Sequence, residues 1–352
     1  MDLAVLGLPA LCLSLFLVGC APIDFGSGFR GTDTQRVEIF VQLEPSTADI
    51  LWVVDTSCSM LDEQQALAAN FPSFIDFFVT RQLAFNLAVT STNIGESDST
   101  GLEGEMAGDP KVITQDHEDI EQMFVDRALM GINDDHSDEK GLTAAYEAIE
   151  VLGGTVNSGF LRDSAHLAVI IVSDEPDYSE RDEAGSEDAV DWEFFAEWMN
   201  QVKGPTGQRM ADMSAIVGMS PDGFDDPAGC GEPEEGSGGG SQSGEGAQRG
   251  DGYLEAALAT GGLIGSICDE DWGDMLGRVG LRAAGLLDSF QLFDTPLVNT
   301  LKVTVDRRVV TDWDYFEVDN SIRFNSLETM PRPGDEIVVE FHVTRFDETP
   351  ED

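Results

Sequence analysis

Basic residues are scarce in this sequence: 19 Lys plus Arg stand against 67 Asp plus Glu, a formal net charge of -48 over 352 residues. A polyanion would be repelled at every approach, which excludes nucleic acid as a partner. Histidine is rarer still, with four residues at 117, 136, 166 and 342. None is spaced as His-Glu-x-x-His, so zinc catalysis has no parts to work with. A Gly-x-x-x-x-Gly-Lys phosphate loop and a Gly-x-Ser-x-Gly nucleophile elbow are also absent. Catalysis is therefore not expected. Hydrophobic residues make up 41% of the chain and are gathered into segments, too many for a disordered acidic chain. The length suits one large domain and a smaller second unit.

Residues 3–18 (LAVLGLPALCLSLFLV) are apolar and uncharged, short for a membrane span with polar flanks and suited to the core of an export signal. They lead into Leu17-Val18-Gly19-Cys20, with Ala21 next. That stretch resembles a bacterial lipobox, although Met1-Asp2 carries no Lys or Arg. The resemblance implies cleavage before Cys20, acylation of its thiol and anchoring through lipid rather than a transmembrane helix. An ordinary signal peptide is the alternative. By analogy with the sorting of proteobacterial lipoproteins, the same resemblance implies the outer membrane, since Ala21 rather than Asp follows the cysteine. Of the remaining cysteines, Cys58, Cys230 and Cys268, export permits one disulfide. Cys230 with Cys268 is the first choice, since it closes the Gly-rich segment between them, and Cys58 is then free.

Residues 20–35 read as a tether, Gly/Ser/Thr-rich over most of its length, and the folded part is expected from near Arg36. VEIFVQL (37–43) alternates. ADILWVVD (48–55) and HLAVIIVSD (166–174) are continuous apolar runs ending in an acid, which suits strands buried on both faces of a parallel sheet. Between and after them come helix patterns over 61–82, 118–126, 139–152, 187–202, 251–262 and 271–287, and strand patterns over 83–92, 213–220 and 263–268. The alternation predicts one doubly wound α/β sheet flanked by helices over 36–290. An acidic Gly/Ser insertion occupies 221–250. From Thr300 the period switches to two, giving a small antiparallel β unit over 291–346 and an acidic tail over 347–352.

Ligands of such a sheet collect beyond the C-terminal ends of its strands. There the first run continues Asp55-Thr56-Ser57-Cys58-Ser59, one carboxylate and two hydroxyls at alternate positions, and the second ends in Asp174. Hard divalent cations, Mg²⁺ first and Ca²⁺ or Mn²⁺ as alternatives, favour such oxygen donors. An Asp-Ser helix cap is the competing reading of the same turn. An aspartyl-phosphate enzyme would want an acid at position 57, where Ser stands.

Apolar strand, DTSCSM, helix, then a second apolar strand ending in Asp resembles the von Willebrand factor A domain and its metal-ion-dependent adhesion site. The resemblance covers roughly residues 36–290, and LAVIIVSDEPDYS and LATGGLIGSICDEDW look like A-like lipoproteins of bacteria. It implies that Asp55, Ser57, Ser59 and Asp174 hold the metal, with a Thr from a middle loop. Here that loop reads Asp134-Asp135-His136-Ser137-Asp138-Glu139, so Ser137 is the positional substitute and Asp138 or Glu139 the charged ones. It also implies a protein ligand, one that often supplies an acidic residue to the metal. The expected function is a lipid-anchored, metal-dependent adhesion or protein-binding module of the cell envelope; the alternative is a metal-independent envelope scaffold or assembly factor.

Overall fold

A computed structural model describes residues 31–42, 47–95, 102–131, 139–179, 190–204, 210–220, 224, 226–230, 246–317, 320–326 and 329–346. The 3–18 run, Cys20, Ser137, Asp138 and the tail 347–352 lie outside the described residues. Among those described, no helix is long and apolar enough to cross a membrane.

Strand β1 (Gly31–Val41) exposes Val37, Ile39 and Val41 and turns Glu38 and Phe40 inward, the alternation of a strand with one wet face. Next come β2 (Ala48–Val54), α1 (Leu61–Arg81), β3 (Phe85–Ser91), β4 (Ile113–Thr114), α2 (Ile120–Ala128) and α3 (Gly141–Tyr146). A π-turn over Glu147–Val151 extends α3. The chain continues through β5 (His166–Ser173), α4 (Trp192–Gln201), β6 (Ala211–Val217), α5 (Tyr253–Thr260), β7 (Ile264–Ser266) and α6 (Trp272–Ala283).

The six strands β2 to β7 form one sheet in the order β4-β3-β2-β5-β6-β7, parallel except for β4 at the edge. Every residue of β2, β3, β5 and β6 is buried, because helices cover both faces. Ile50, Trp52 and Val54 pack with Phe71, Phe74 and Phe78 of α1, Phe124 of α2 and Leu276 of α6. Leu51 and Val53 face the other way, toward Leu142 and Ala145 of α3, Phe195 of α4 and Leu254 of α5. Alternate residues of one strand thus feed two separate cores. That is why the strand sequences are apolar without a break.

The N-terminal ends of these strands carry two buried acids, each held by two basic groups. Asp49 accepts from Arg162 Nε at 2.7 Å and Lys203 Nζ at 3.1 Å. Asp212 lies 3.0 Å from His166 Nε2 and 3.1 Å from Arg282 Nε.

The rest of the chain is antiparallel: β8 (Ser289–Gln291), β9 (Lys302–Val305), β10 (Arg308–Val310), β11 (Trp313–Phe316), β12 (Ser321–Phe324) and β13 (Glu336–Phe346). Two sheets, β1-β13-β9-β10 and β11-β12-β8, share a core of Phe290, Ile322 and Phe324 against Val303, Ile337, Val339 and Phe341. The unit is a small sandwich. Its first strand is β1, which pairs with β13 from Gly31↔Phe346 to Val41↔Glu336. The strand expected to open the α/β domain therefore belongs to the other unit, and residues 31–35, read as tether, are strand. The physical reason is the half-wet alternation of β1, which suits an antiparallel sheet and not one covered on both faces. The α/β domain is thus inserted between β1 and β8. Gln42 clamps the junction, donating to Leu287 O at 2.7 Å and Pro331 O at 3.2 Å and accepting from Leu287 N–H at 3.1 Å.

Candidate functional site

Parallel pairing sets Val54 beside Ser91 and Val172, so β2, β3 and β5 deliver Asp55, Thr92 and Asp174 to one end of the sheet. The Asp55 N–H donates to Val172 O at 2.9 Å, carrying the ladder one residue past β2. The Asp55 carboxylate accepts the Ser57 N–H at 2.7 Å on Oδ1 and the Ser173 hydroxyl at 2.7 Å on Oδ2. Ser57 Oγ lies 3.1 Å from Ser59 Oγ and donates to Asp174 Oδ1 at 3.5 Å. Neither the short 3-10 turn at Cys58–Met60 nor α1 has a side-chain cap. The hydroxyls of the turn are directed at one another and at Asp174, which is not what a helix cap does. Asp55, Ser57, Ser59 and Asp174 are therefore brought together.

From the middle loop, Ser137 and Asp138 lie outside the described residues, and Glu139 is the acid seen at the site. It is 1% exposed. Its carboxylate accepts a hydrogen bond from Thr92 Oγ1 and contacts the carboxyl of Asp55. Backbone bonds fix the loop: Lys140 N–H to Thr92 O at 3.1 Å, and Tyr178 N–H to Glu139 O at 2.6 Å. The Gly141 N–H donates to Tyr253 Oη at 3.0 Å. Glycine is required there, because a Cβ would sit 2.7 Å from that hydroxyl oxygen.

Burial acts on all three acids, and repulsion from neighbouring carboxylates on Asp55 and Glu139. Burial pushes the Asp55 carboxyl well above the usual carboxylate range, the charges of Glu139 and Asp174 push it further, and the bonds from Ser173 and Ser57 oppose them. Burial raises Glu139 to about 7, with Glu175 and Asp174 adding repulsion and the Thr92 bond opposing. Asp174 is raised by burial against the hydroxyls of Ser59 and Ser57. Among the described residues no Lys or Arg forms an ion pair with any of the three. Two buried oxygens nearby in sequence, Thr56 Oγ1 and Asn93 Oδ1, have no hydrogen-bond partner. Buried carboxylates, hydroxyls and unpaired oxygens are the donor set of a hard cation. Among the described residues no three His, Cys, Asp or Glu side chains close into a ready metal cage; the oxygens here come from hydroxyls as well as carboxylates.

No family model matches the chain, and no curated protein does. Solved structures give distant likenesses. Proximal thread matrix protein 1 from the mussel byssus is 12% identical with a TM-score of 0.39, covering 72% of this chain and 51% of its own. The match thus spans about half of the mussel protein. An aerotolerance-related membrane protein from Bacteroides fragilis is 15% identical with a TM-score of 0.34, over 68% of this chain and 99% of its own. The pilus adhesin SpaC from Lactobacillus rhamnosus GG is 10% identical with a TM-score of 0.38, over 92% of this chain and 43% of its own. None is near enough to assign a function.

Several contributors escaped the sequence reading. Ser173 ends β5 and grips Asp55, yet a strand-final serine carries no signal of its own. Thr92 holds Glu139 from the end of a third strand. Behind them Asp177, half-buried, accepts from Leu142 N–H at 3.2 Å, Ser179 N–H at 3.2 Å and Ser179 Oγ at 2.9 Å. Burial lifts it to about 7 against these bonds and that of Tyr253. Asp177 and Tyr253 thereby tie the start of α3 to α5 and fix the loop that carries Glu139. Among the described residues Cys58, half-buried in the turn, is the cysteine outside a disulfide. Cys230 and Cys268 are joined in a disulfide, Cα atoms 6.1 Å apart. The surface hollow lined by Asp269, Glu270, Asp271 and Asp274 at β7 and α6 is separate from these residues.

Proposed function

We propose that this chain is a divalent-cation-dependent protein-binding module of the von Willebrand A-like kind, displayed on the cell envelope by lipid on Cys20. One observation carries the reading. Three buried acids, Asp55, Glu139 and Asp174, meet beside the hydroxyls of Ser57 and Ser59 at the strand ends where ligands of parallel sheets gather, and among the described residues no Lys or Arg forms an ion pair with them. Burying like charges together is costly unless a cation is added. A Mg²⁺, Ca²⁺ or Mn²⁺ ion would supply that charge and an open coordination position for a partner. Ser57, Ser59, Asp174 and Glu139 would hold the ion, directly or through water, and Asp55 would orient the turn through its bond from the Ser57 N–H. The strand order and the Asp-x-Ser-x-Ser turn support the A-like assignment.

The test is thermal unfolding with Mg²⁺ or Ca²⁺ and with chelator, together with recovery of partners from native envelope extracts under both conditions. A cation-dependent rise in Tm that Asp55→Ala abolishes, and a partner lost on chelation, are the expected results. An equal rise in the variant would refute the site. A metal-independent scaffold draws on the want of a ready carboxylate cage among the described residues and predicts that chelator changes neither readout. For the anchor, Cys20→Ser is expected to release the protein from the membrane fraction, and unaltered retention would refute it.

A further inference from the structure

We infer that β1 is the pairing edge of a homodimer: two copies join their β1 strands antiparallel about a two-fold axis at Val37, so that two four-stranded sheets become one. The inference is independent of the cation reading. A sheet edge exposes unpaired backbone groups, and short edge strands keep other chains from pairing with them. Five of the six edges here are short: β4 has two residues, β7, β8 and β10 have three each, and β11 has four. β1 has eleven, with no proline, lysine or bulge. Its Gln42 neighbour directs its N–H at Asp335 O, on the β13 side. By alternation the N–H and C=O of Gln35, Val37, Ile39 and Val41 point away from β13, and among the described residues nothing bonds them there.

The open edge is apolar on both sides. Val37, Ile39 and Val41 are exposed on the outer face, and Ile39 begins a row that runs through Val338 and Thr304 to the exposed Val309 across all four strands. On the inner side Phe293, 88% exposed, stacks on Phe40 with ring centroids 6.4 Å apart. It is pinned there, because the Glu38 carboxylate accepts the N–H of Phe293 at 2.9 Å and of Asp294 at 3.0 Å, and Asp294 pairs with Arg36 at 2.9 Å. Exposed apolar surface of this extent marks a protein contact. The charges of the strand select the occupant. Pairing through the open groups sets odd-numbered residues opposite one another, and a two-fold at Val37 does this while setting Arg36 of each copy opposite Glu38 of the other. Val37 then faces its own counterpart, with Ile39 diagonal to it. A two-fold at Arg36 or Glu38 would oppose like charges, and one at Ile39 would set Arg36 against Gln42 and Glu38 against Phe40. The edge complements itself, as an isologous interface requires.

Sedimentation of the full chain in detergent is expected to give twice the chain mass, with the pair favoured by salt that screens two acidic copies from each other. Val37→Lys places two ammonium groups opposite on the axis and is expected to weaken the pair on the order of tenfold. Val37→Glu acts in the same way, and an equimolar mixture of the two variants is expected to pair again, since Lys then faces Glu. Melting near that of the native chain checks that each variant folds, as exposure of the site implies. Under mild oxidation Val37→Cys is expected to cross-link above the level of the native chain, facing Cα atoms in such a pair being about 5.5 Å apart. Ile39→Cys, which faces Gln35, is not. A native chain that sediments as a monomer overturns the inference, as does a folded pair of variants that fails to recover on mixing, or cross-linking at position 39 and not at 37. A monomer whose β1 amides gain protection from exchange only in envelope extract gives the edge to another protein and overturns it too.

Discussion

The two ends of the parallel sheet bury acids to the same depth and treat them in opposite ways. At the N-terminal end Asp49 and Asp212 are 0% and 3% exposed, and each lies against two basic side chains. Burial works against the Asp212 carboxylate, but Arg282 and His166 outweigh it and hold its pKa below the usual range. At the C-terminal end Asp55 is equally buried, yet its neighbours are Glu139 and Asp174, and its pKa goes up. Burial is common to both ends, so it does not explain the difference. What differs is the partner: basic side chains of the chain itself at one end, and at the other none that pairs with the acids among the described residues, which is where the proposed cation would act. Uncompensated acids that only held the fold together would lower stability with nothing in return.

The largest effect that tests this contrast is at the closed end. Asp212→Ala leaves His166 and Arg282 without their acid in a buried place and is expected to cost about 3–5 kcal/mol, read by urea unfolding. The loss should be the same with chelator or with Mg²⁺. A cation-dependent loss would mean that the two ends are not independent. Asp55→Ala gives the converse result. Without metal it removes an acid that is itself destabilised and changes stability little. With cation at about a hundredfold over its dissociation constant, the native chain is expected to gain about 2.7 kcal/mol, and the variant to gain none of it.

The closed end and the open end were not equally legible from sequence. The runs 48–55 and 166–174 announce strands covered on both faces because each lacks any polar alternation, and the terminal acids stand out against them. The alternation of 37–43 shows a strand but not its partner, since β13 lies nearly the whole chain away and pairing over that distance leaves no local pattern. In the middle loop, Ser137 is closer chemically to a threonine, whereas Glu139 is the residue that the backbone bonds of Thr92 and Tyr178 and the hydroxyl of Tyr253 carry to the site. Those partners sit on three other elements. Likewise nothing marks Arg162, Lys203, His166 and Arg282 as neutralising groups until the strands are aligned.

A smaller effect separates the ends by pH. In chelator, Asp55, Glu139 and Asp177 have folded pKa values raised above their unfolded ones. The folded chain therefore keeps protons that the unfolded chain has released. Their contribution is fully present below about pH 4 and is lost as pH rises through the folded values, about 7 for Glu139 and Asp177. Asp212, with a depressed value, runs the other way and weakens the fold only as pH falls below about 4. The chelated protein is expected to lose stability steadily between about pH 5 and about pH 8, as the folded carboxyls release the protons they had kept. Added Ca²⁺ should remove this slope, because the ion binds the ionised acids and competes with protons. A slope unchanged by Ca²⁺ would place the titrating acids away from the cation.

The smallest effect probes the layer behind the open end. Tyr253 is fully buried, and its hydroxyl accepts the Gly141 N–H and bonds the Asp177 carboxyl. Tyr253→Phe keeps the ring in its place and removes the oxygen, leaving a buried amide without an acceptor, so a loss of about 1–2 kcal/mol is expected. Were the tyrosine only a core residue, the loss would be equal with and without cation. If instead it positions the Glu139 loop, the variant also shows weaker Ca²⁺ affinity, while a core substitution of similar cost on the other side of the sheet, Phe124→Leu, leaves that affinity unchanged. Equal affinities in the two variants would confine Tyr253 to packing and leave Thr92, with the backbone bonds of Lys140 and Tyr178, to hold Glu139 at the site.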